Sequence, residues 1–278
     1  MNQQHMLTEQ RRRLILERLR ERGAVRTSEL SELFSVSPMT IRNDLNALAK
    51  EGELIRIHGG AIAKESLAAE PSYHEKETVN LTEKRLIGRL AASLIEEGMA
   101  VFIGNGTTTM QIVNHLSPEI RFKAFTNALT HAVELSKLPQ VEVYVVGGYL
   151  RGVSYAMVGR LARQALDGVY FDLAFLGANG VSLEHGVTIP ALEEAETAAE
   201  VVRHARKTVL VVDHSKFGVV THGKIAGLSD IDAIVTDRPL AGSLARALEE
   251  LDVEVYIAEQ GGDRRAETAA RTDLAGVG

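Results

Sequence analysis

The stretch SVSPMTIRNDLNALAKEGELIRIHGGAI, residues 35–62, decides the fold of the N-terminal part of this chain. Ser37 followed by Pro38 predicts a helix start, because serine caps free N–H groups and proline suits the first helical position. Ile41, Leu45 and Leu48 form the predicted buried stripe of this helix. Gly52 is the predicted end of the helix. An extended segment with a Gly-Gly tip follows at once.

A second predicted helix lies directly before this one. Thr27 is a suitable N-cap, and Leu30, Leu33 and Phe34 follow at i, i+3, i+4 spacing. Two short helices joined by a four-residue turn, Ser35 to Pro38, predict a helix-turn-helix. The glycine turn between short strands at 53–62 predicts a wing beside it.

The outward face of the later helix is polar and hardly acidic, as a recognition helix requires. Arginine reads guanine bidentately, asparagine reads adenine, and lysine contacts phosphate. A glycine turn with cationic neighbours can approach the sugar-phosphate backbone closely. The predicted DNA contacts are Ser37, Met39, Thr40, Arg42, Asn43, Asn46, Lys50, Arg56, His58, Gly59 and Gly60. Asp44 lies beside the buried stripe, and we expect it to pair with a neighbouring cation.

The composition of the 278 residues favours a cytoplasmic protein with one or two domains. No apolar run is long enough to span a bilayer, and the charged N-terminus has no apolar signal core behind it. Because the chain has no cysteine, disulfides and thiolate metal sites are excluded. Residues 1–63 carry ten Lys and Arg against eight Asp and Glu, whereas the rest carries 21 against 29. This asymmetry suits a small polyanion-binding module joined to an acidic body.

Residues 64–81 are polar and charged and are predicted to be a linker, and residues 259–278 a disordered tail. Between them, over 82–258, apolar runs alternate with helical patterns. The predicted strands are 100–103, 122–127, 141–148, 171–178, 208–213, 232–237 and 253–258. Strands that are apolar throughout and separated by helices predict an α/β domain with a mostly parallel sheet.

Small and hydrogen-bonding residues follow many of these strands. Because ligands collect at the carboxyl ends of parallel strands, they predict one polar crevice. The turn GNGTTT, residues 104–109, offers backbone N–H groups at a helix N-terminus to an anion such as a phosphate. The predicted ligand contacts are Asn105, Gly106, Thr107, Thr108, Thr126, Asn127, Gly147, Gly148, Arg151, Asn179, Glu193, Asp213 and Lys216. A turn predicted at 186–188 is followed by three acidic residues at a helix start, Glu193, Glu194 and Glu196. They either accept hydrogen bonds from sugar hydroxyls or stabilise the helix by their negative charge at its N-terminus.

The N-terminal motifs VSPMTIRNDL (36–45) and RIHGGA (56–61) resemble those of the DeoR family of bacterial transcriptional repressors. The later segments GTTT, TNAL, VGGYLRG, FDLAFLGANGV and VVDHSKFG are similar to its C-terminal sensor domain, so the resemblance covers about residues 8–258. It implies a winged helix-turn-helix followed by a sensor of isomerase or CoA-transferase-like fold. Family effectors are typically phosphorylated sugars or related metabolites. Where the family often has a second arginine, an aspartate and a lysine, this chain has Asn43, Gly104 and Ala198.

Two functions are compatible with these patterns. One is a catalytically inert sensor that controls DNA binding, acting as a homodimer or homotetramer on double-stranded operator DNA. The other is a phosphosugar isomerase with a DNA-binding appendage. Isomerisation requires a general base. The resemblance implies that the related isomerases have an acidic residue at the position where this chain has Asn179. We therefore expect no catalytic residue, no metal and no cofactor, and a repressor of a carbohydrate operon released by a phosphorylated sugar.

Overall fold

The computed structural model describes residues 8–22, 24–57, 59–63, 70–259 and 264–265. The chain divides into two compact units, Met1–Glu70 and Pro71–Gly278. Among the helices of the described ranges, none combines the length and the apolar character needed to cross a membrane.

The first unit packs helices against a small antiparallel sheet. Its elements are α1 (Thr8–Arg22), β1 (Ala24–Arg26), α2 (Thr27–Phe34), α3 (Pro38–Lys50), β2 (Leu54–Ile57) and β3 (Gly60–Ala63). β3 lies between β1 and β2, and β2 and β3 form the predicted wing hairpin. Its core contains Ile15, Leu19, Leu30, Ile41 and Leu45. The turn between α2 and α3 is one residue shorter than predicted, because Pro38 is already helical.

The second unit is a layered α/β structure. Its elements are α4 (Tyr73–Thr78), α5 (Leu81–Ala92), β4 (Ala100–Ile103), α6 (Thr107–Asn114), β5 (Phe122–Thr126), α7 (Leu129–Leu135), β6 (Val141–Val145), β7 (Tyr149–Arg151), β8 (Ala156–Val158), α8 (Arg160–Leu166), β9 (Leu173–Leu176), β10 (Gly180–Ser182), β11 (Gly186–Ile189), α9 (Leu192–His204), β12 (Thr208–Val211), β13 (Gly223–Ala226), β14 (Ala233–Thr236), α10 (Gly242–Glu250), β15 (Glu254–Ile257) and β16 (Arg264–Arg265).

The main sheet has the strand order β16-β15-β14-β12-β9-β4-β5-β6, and β16 alone runs antiparallel to its neighbour. A hydrophobic core lies on each face of the sheet, and successive side chains of β4 point to opposite faces. Phe102 packs in one core, and Val101 and Ile103 pack in the other. This two-sided burial explains why the strands are apolar throughout. The predicted α/β fold with a mostly parallel sheet is confirmed.

Three local predictions differ from the structure. The predicted linker at 64–81 contains α4, which begins at a capping box of Ser72 and Glu75 and belongs to the second unit. The turn predicted at 186–188 is instead the buried strand β11, paired with β10 and β13. Within the predicted tail, Arg264–Arg265 form β16, while residues 260–263 and 266–278 lie outside the described residues.

Candidate nucleic-acid interface and ligand crevice

One face of α3 is polar and open to solvent. Ile41, Leu45 and Leu48 are buried in the core of the first unit, which fixes the rotation of the helix. The residues that this rotation leaves exposed are Met39, Arg42, Asn43, Asn46 and Lys50. The Ser37 hydroxyl accepts a hydrogen bond from the Thr40 N–H at 3.1 Å and lies 2.9 Å from the Thr40 hydroxyl, so both side chains take part in the helix cap. Most of the predicted α3 contacts therefore share one accessible face.

The wing is fastened to this helix by Arg56. Its Nε donates to Asn46 Oδ1 at 3.0 Å, and its guanidinium also contacts the Gly60 carbonyl oxygen. Burial and the nearby charge of Arg42 lower the pKa of Arg56. Four of the predicted DNA contacts thus lie together, and Arg56 is hydrogen-bonded to two of them, Asn46 and Gly60.

The two wing glycines have different structural roles. Gly59 is exposed and adopts a φ of +81°, which favours glycine at the tip. Gly60 is buried against β1, where a Cβ atom would lie 2.0 Å from the Val25 carbonyl oxygen. The structure therefore requires Gly60 for packing whether or not it meets DNA. His58 lies outside the described residues.

Asp44 is buried between α1 and α3, as its position beside the apolar stripe predicted. Its carboxylate accepts from Arg11 Nε at 2.6 Å and from Arg12 Nε at 3.2 Å. The side chains of Arg11 and Asp44 are only 7% and 3% exposed. This ion pair joins two helices inside the unit and leaves the outward face of α3 free of negative charge.

In the second unit, a crevice opens where the strand order changes direction. β4 is followed along the sheet by β5 and β6 on one side and by β9 and β12 on the other, so β4 and β9 flank a topological switch point. Ligands bind at such points in open α/β sheets. The crevice is lined from β4, β5, β9 and α9 by residues that include Gly104, Asn105, Asn127, Gly177 and Glu194.

The turn after β4 presents a helix N-terminus at this edge. Gly106 caps α6 with a φ of +145°, and no side chain caps the helix there. The first-turn N–H groups of Thr107 and Thr108 consequently have no acceptor within the helix. Both side chains are nearly buried, at 8% and 9% exposure. The predicted anion cradle is thus built from backbone donors.

A hydrogen-bonded network of polar side chains forms one wall of the crevice. Asn105 accepts from Asn127 Nδ2 at 3.3 Å and donates through its own Nδ2 to Glu194 Oε2 at 3.1 Å. The other oxygen of Glu194 meets both the Arg151 guanidinium and the Ser154 hydroxyl. Glu194 is buried, whereas the predicted Glu193 points into solvent. Of the three candidate glutamates, Glu194 lies in the crevice, whereas Glu193, named among the predicted contacts, does not.

Charged groups gather at the start of α5. Asp213, which follows β12, accepts from Asn80 Nδ2 at 3.0 Å and from the Ser215 N–H at 2.9 Å. Burial raises the pKa of Asp213, but the charge of Lys216 and these hydrogen bonds outweigh it and hold the pKa below its usual value. Among the described residues, Asp213 Oδ2 is a buried oxygen without a hydrogen-bond donor.

Lys84 completes this group and was not predicted as a ligand contact. It is buried, it donates to the Lys76 carbonyl oxygen, and burial lowers its pKa to about 8, although Asp213 acts in the opposite direction. α5 and α6 both begin at the crevice edge, and Gly88 packs against Gln111 so closely that a Cβ would lie 2.4 Å away. Lys84 lies one turn before Gly88 on α5, near Asp213 and Lys216.

The remaining predicted ligand residues either have structural roles or are only partly exposed to solvent. Thr126 is fully buried, and its hydroxyl donates to the Ile103 carbonyl oxygen at 2.7 Å. Gly148 leaves room for the Val158 carbonyl oxygen, which a Cβ would approach to 2.6 Å, while Gly147 is exposed. Asn179 is half-buried, and its N–H bonds the Thr188 carbonyl oxygen at 3.0 Å.

The sequence indicates the burial of Glu194, one of three candidate glutamates, but not that of Lys84, which was not predicted. Glu194 shares a helical stripe with buried Thr197 and Val201, at i, i+3 and i+7, so periodicity alone distinguishes it from Glu193. Lys84 lies in a charged helix start, which predicts a solvated side chain, and only the tertiary structure shows that it is buried.

Comparison with known proteins gives matches over both units. Residues 11–67 match the DeoR-like helix-turn-helix domain, and residues 79–238 match the DeoR C-terminal sensor domain. The HTH-type transcriptional regulator GlpR of Haloferax volcanii is 36% identical over 250 residues, covering 90% of this chain and 98% of that protein. The glycerol-3-phosphate regulon repressor of Escherichia coli is 32% identical over 248 residues, covering 89% and 98%.

Among solved structures, ribose 5-phosphate isomerase A of Methanocaldococcus jannaschii is similar over 50% of this chain and 55% of its own, with a TM-score of 0.38 and 18% identity. The sequence matches, by contrast, extend over the helix-turn-helix, the wing and the whole crevice. The chain belongs to the DeoR family of transcriptional regulators.

Proposed function

We propose that this chain is a cytoplasmic transcriptional repressor of a carbohydrate operon, and that a phosphorylated sugar or related metabolite releases it from double-stranded operator DNA. One observation carries the proposal: α3 exposes Arg42, Asn43 and Asn46 on a single face, while the apolar stripe behind them is buried. Its relatives include a repressor of the glycerol-3-phosphate regulon, which supports the same class of effector.

The proposed effector site is the crevice of the second unit. The N–H groups of Thr107 and Thr108 bind the phosphate, and Lys84 and Lys216 neutralise its charge. Glu194, Asn105 and Asn127 at the wall offer acceptors and donors to sugar hydroxyls. A homodimer or homotetramer formed through the C-terminal units presents winged domains to symmetric half-sites, and effector binding lowers DNA affinity through their coupling energy.

The alternative function, a working phosphosugar isomerase, is disfavoured by the chemistry of the crevice. Asn179 is an amide and abstracts no proton. Glu194 is a carboxylate, but its oxygens already accept hydrogen bonds from Arg151, Ser154 and Asn105, which hold it in the crevice wall. We therefore propose a sensor without turnover.

The first test concerns α3. An operator is selected from random DNA with the wild-type protein, and binding is compared by gel shift. Arg42→Ala is expected to lower specific affinity about 10- to 100-fold, since one bidentate base contact contributes about 1–3 kcal/mol. The control is Arg13→Ala, an arginine of α1 that is 83% exposed. Unchanged binding by Arg42→Ala contradicts the assignment of α3 as the recognition helix.

The second test concerns the crevice. A thermal-shift screen compares phosphorylated sugars with their unphosphorylated parents, with and without operator DNA. Stabilisation by phosphorylated compounds alone, together with operator release, supports the sensor. Each stabilising compound is then incubated with the protein and analysed for isomerised product, and turnover at an enzymatic rate overturns the proposal that the crevice is inert.

A further inference from the structure

Behind the cradle lies a histidine that neither the DNA interface nor the crevice wall uses. His131, in the first turn of α7, is fully buried. Its Nε2 is 3.0 Å from Thr109 Oγ1, and its Nδ1 is 3.1 Å from Thr130 Oγ1. Burial lowers the pKa of His131 to about 3, so the ring is neutral and carries one N–H and one lone pair.

The hydrogen bonds around Thr109 determine which nitrogen carries the proton. Thr109 Oγ1 also lies 3.0 Å from the Gly106 carbonyl oxygen, which only accepts. The single hydroxyl proton of Thr109 therefore points to Gly106, and Thr109 must accept from His131 Nε2–H. Nδ1 then carries the lone pair and accepts from the Thr130 hydroxyl. The three hydrogen bonds therefore run in one direction: Thr130 donates to His131, His131 donates to Thr109, and Thr109 donates to the Gly106 carbonyl oxygen.

This chain of bonds ends on the peptide that forms the cradle. The Gly106 carbonyl oxygen accepts from the Thr109 hydroxyl and from the Met110 N–H at 3.1 Å, so it is directed into α6. Because a trans peptide places its N–H opposite its carbonyl, the N–H of Thr107 is directed out of the helix start. Gly106 has a φ of +145° and no side chain caps the helix there, so this peptide is held by the Thr109 hydroxyl and the Met110 N–H.

We propose that His131, as the neutral Nε2–H tautomer, is a positioning residue for the anion cradle: it fixes the Thr109 hydroxyl and thereby the Gly106–Thr107 peptide. The inference rests on the proposed function, because the anion at this cradle is the phosphate of the effector. His131 itself does not touch the ligand.

The test measures binding of inorganic phosphate to the full-length protein by calorimetry. His131→Leu and Thr109→Val each weaken binding about tenfold, and the double variant is no weaker than either single one, because both changes break the same chain of bonds. His131→Gln keeps a donor and an acceptor and Thr109→Ser keeps the hydroxyl, so both bind within about threefold of wild type. Leu135→Ala, an equally buried change in α7, lowers the melting temperature without this loss.

A second measurement needs no variant. Two-bond ¹H–¹⁵N spectra of the histidine rings are expected to show one ring that stays in the Nε2–H tautomer between pH 5 and pH 8. An Nδ1–H tautomer, or a titration of this ring in that range, overturns the inference. It is also overturned if folded His131→Leu binds phosphate like wild type, or if the two single losses are additive.

Failure of the two proposals is distinguishable. If wild-type protein and all variants fail to bind phosphate and phosphorylated sugars, both the proposed effector site and the proposed role of His131 are wrong. If wild type binds and the His131 variants are unaffected, only the positioning role falls.

Discussion

Lys84 links the charge of the crevice to pH. Burial lowers its pKa from 10.5 to about 8, so the ammonium becomes neutral within an accessible range. Phosphate esters are already dianions there, because their second pKa is about 6. We expect the affinity for a phosphorylated sugar to be near its maximum at pH 7, to be about halved at pH 8, and then to fall by up to about tenfold per pH unit. Calorimetry from pH 7 to pH 9.5 checks this.

The lowered pKa of Lys84 also makes the stability of the unliganded protein depend on pH, in the opposite direction. Between the folded pKa of about 8 and the unfolded value of 10.5, the unfolded state binds more protons, so the unfolding free energy rises with pH. Lys84→Met is expected to remove both slopes, whereas Lys224→Met, a change of an exposed lysine on β13, retains them. A ligand affinity independent of pH in the wild type contradicts the placement of Lys84 beside the phosphate.

At the scale of elements, one buried ion pair fixes how α1 and α3 pack. Asp44→Ala leaves the Arg11 guanidinium buried without this carboxylate, and such a loss costs about 3–5 kcal/mol. We expect the first unit to unfold at much lower urea concentration and operator binding to be lost with it. Glu51→Ala is the matched control, because Glu51 is 57% exposed and lies 3.8 Å from Arg12, where a surface pair contributes about 0–1 kcal/mol. Equal midpoints for the two variants would contradict this account.

The elements also show where sequence patterns sufficed. Apolar runs located the central strands because burial on both faces makes them uniformly hydrophobic. The helix α4 was missed inside a charged segment, although Ser72 and Glu75 have the spacing of a capping box. The sequence pattern predicts a turn at β11 because Gly186 and Thr188 are typical turn residues. β10 is its neighbour in sequence, but its other partner, β13, lies far along the chain.

At the scale of the whole molecule, effector and operator are expected to weaken each other by the same factor, since coupling free energy is reciprocal. Thr107→Glu places a carboxylate in the cradle. It is expected to keep operator affinity and lose the response to effector. Fluorescence anisotropy gives the DNA affinity with and without effector, and calorimetry gives the effector affinity with and without DNA. Release of DNA by effector from the Thr107→Glu protein would show that the effector binds elsewhere.

The sequence by itself determined the classes of structure and of chemistry in this protein. Local spacing identified the helix-turn-helix, the outward face of α3 and the glycine turn before α6, because caps, periodicity and turn residues act over a few positions. Only the tertiary structure decided which polar groups meet: Glu194 with Arg151, Lys84 with the Lys76 carbonyl oxygen, and His131 with Thr109. Those contacts depend on packing between distant segments, and packing also decides which charges are buried.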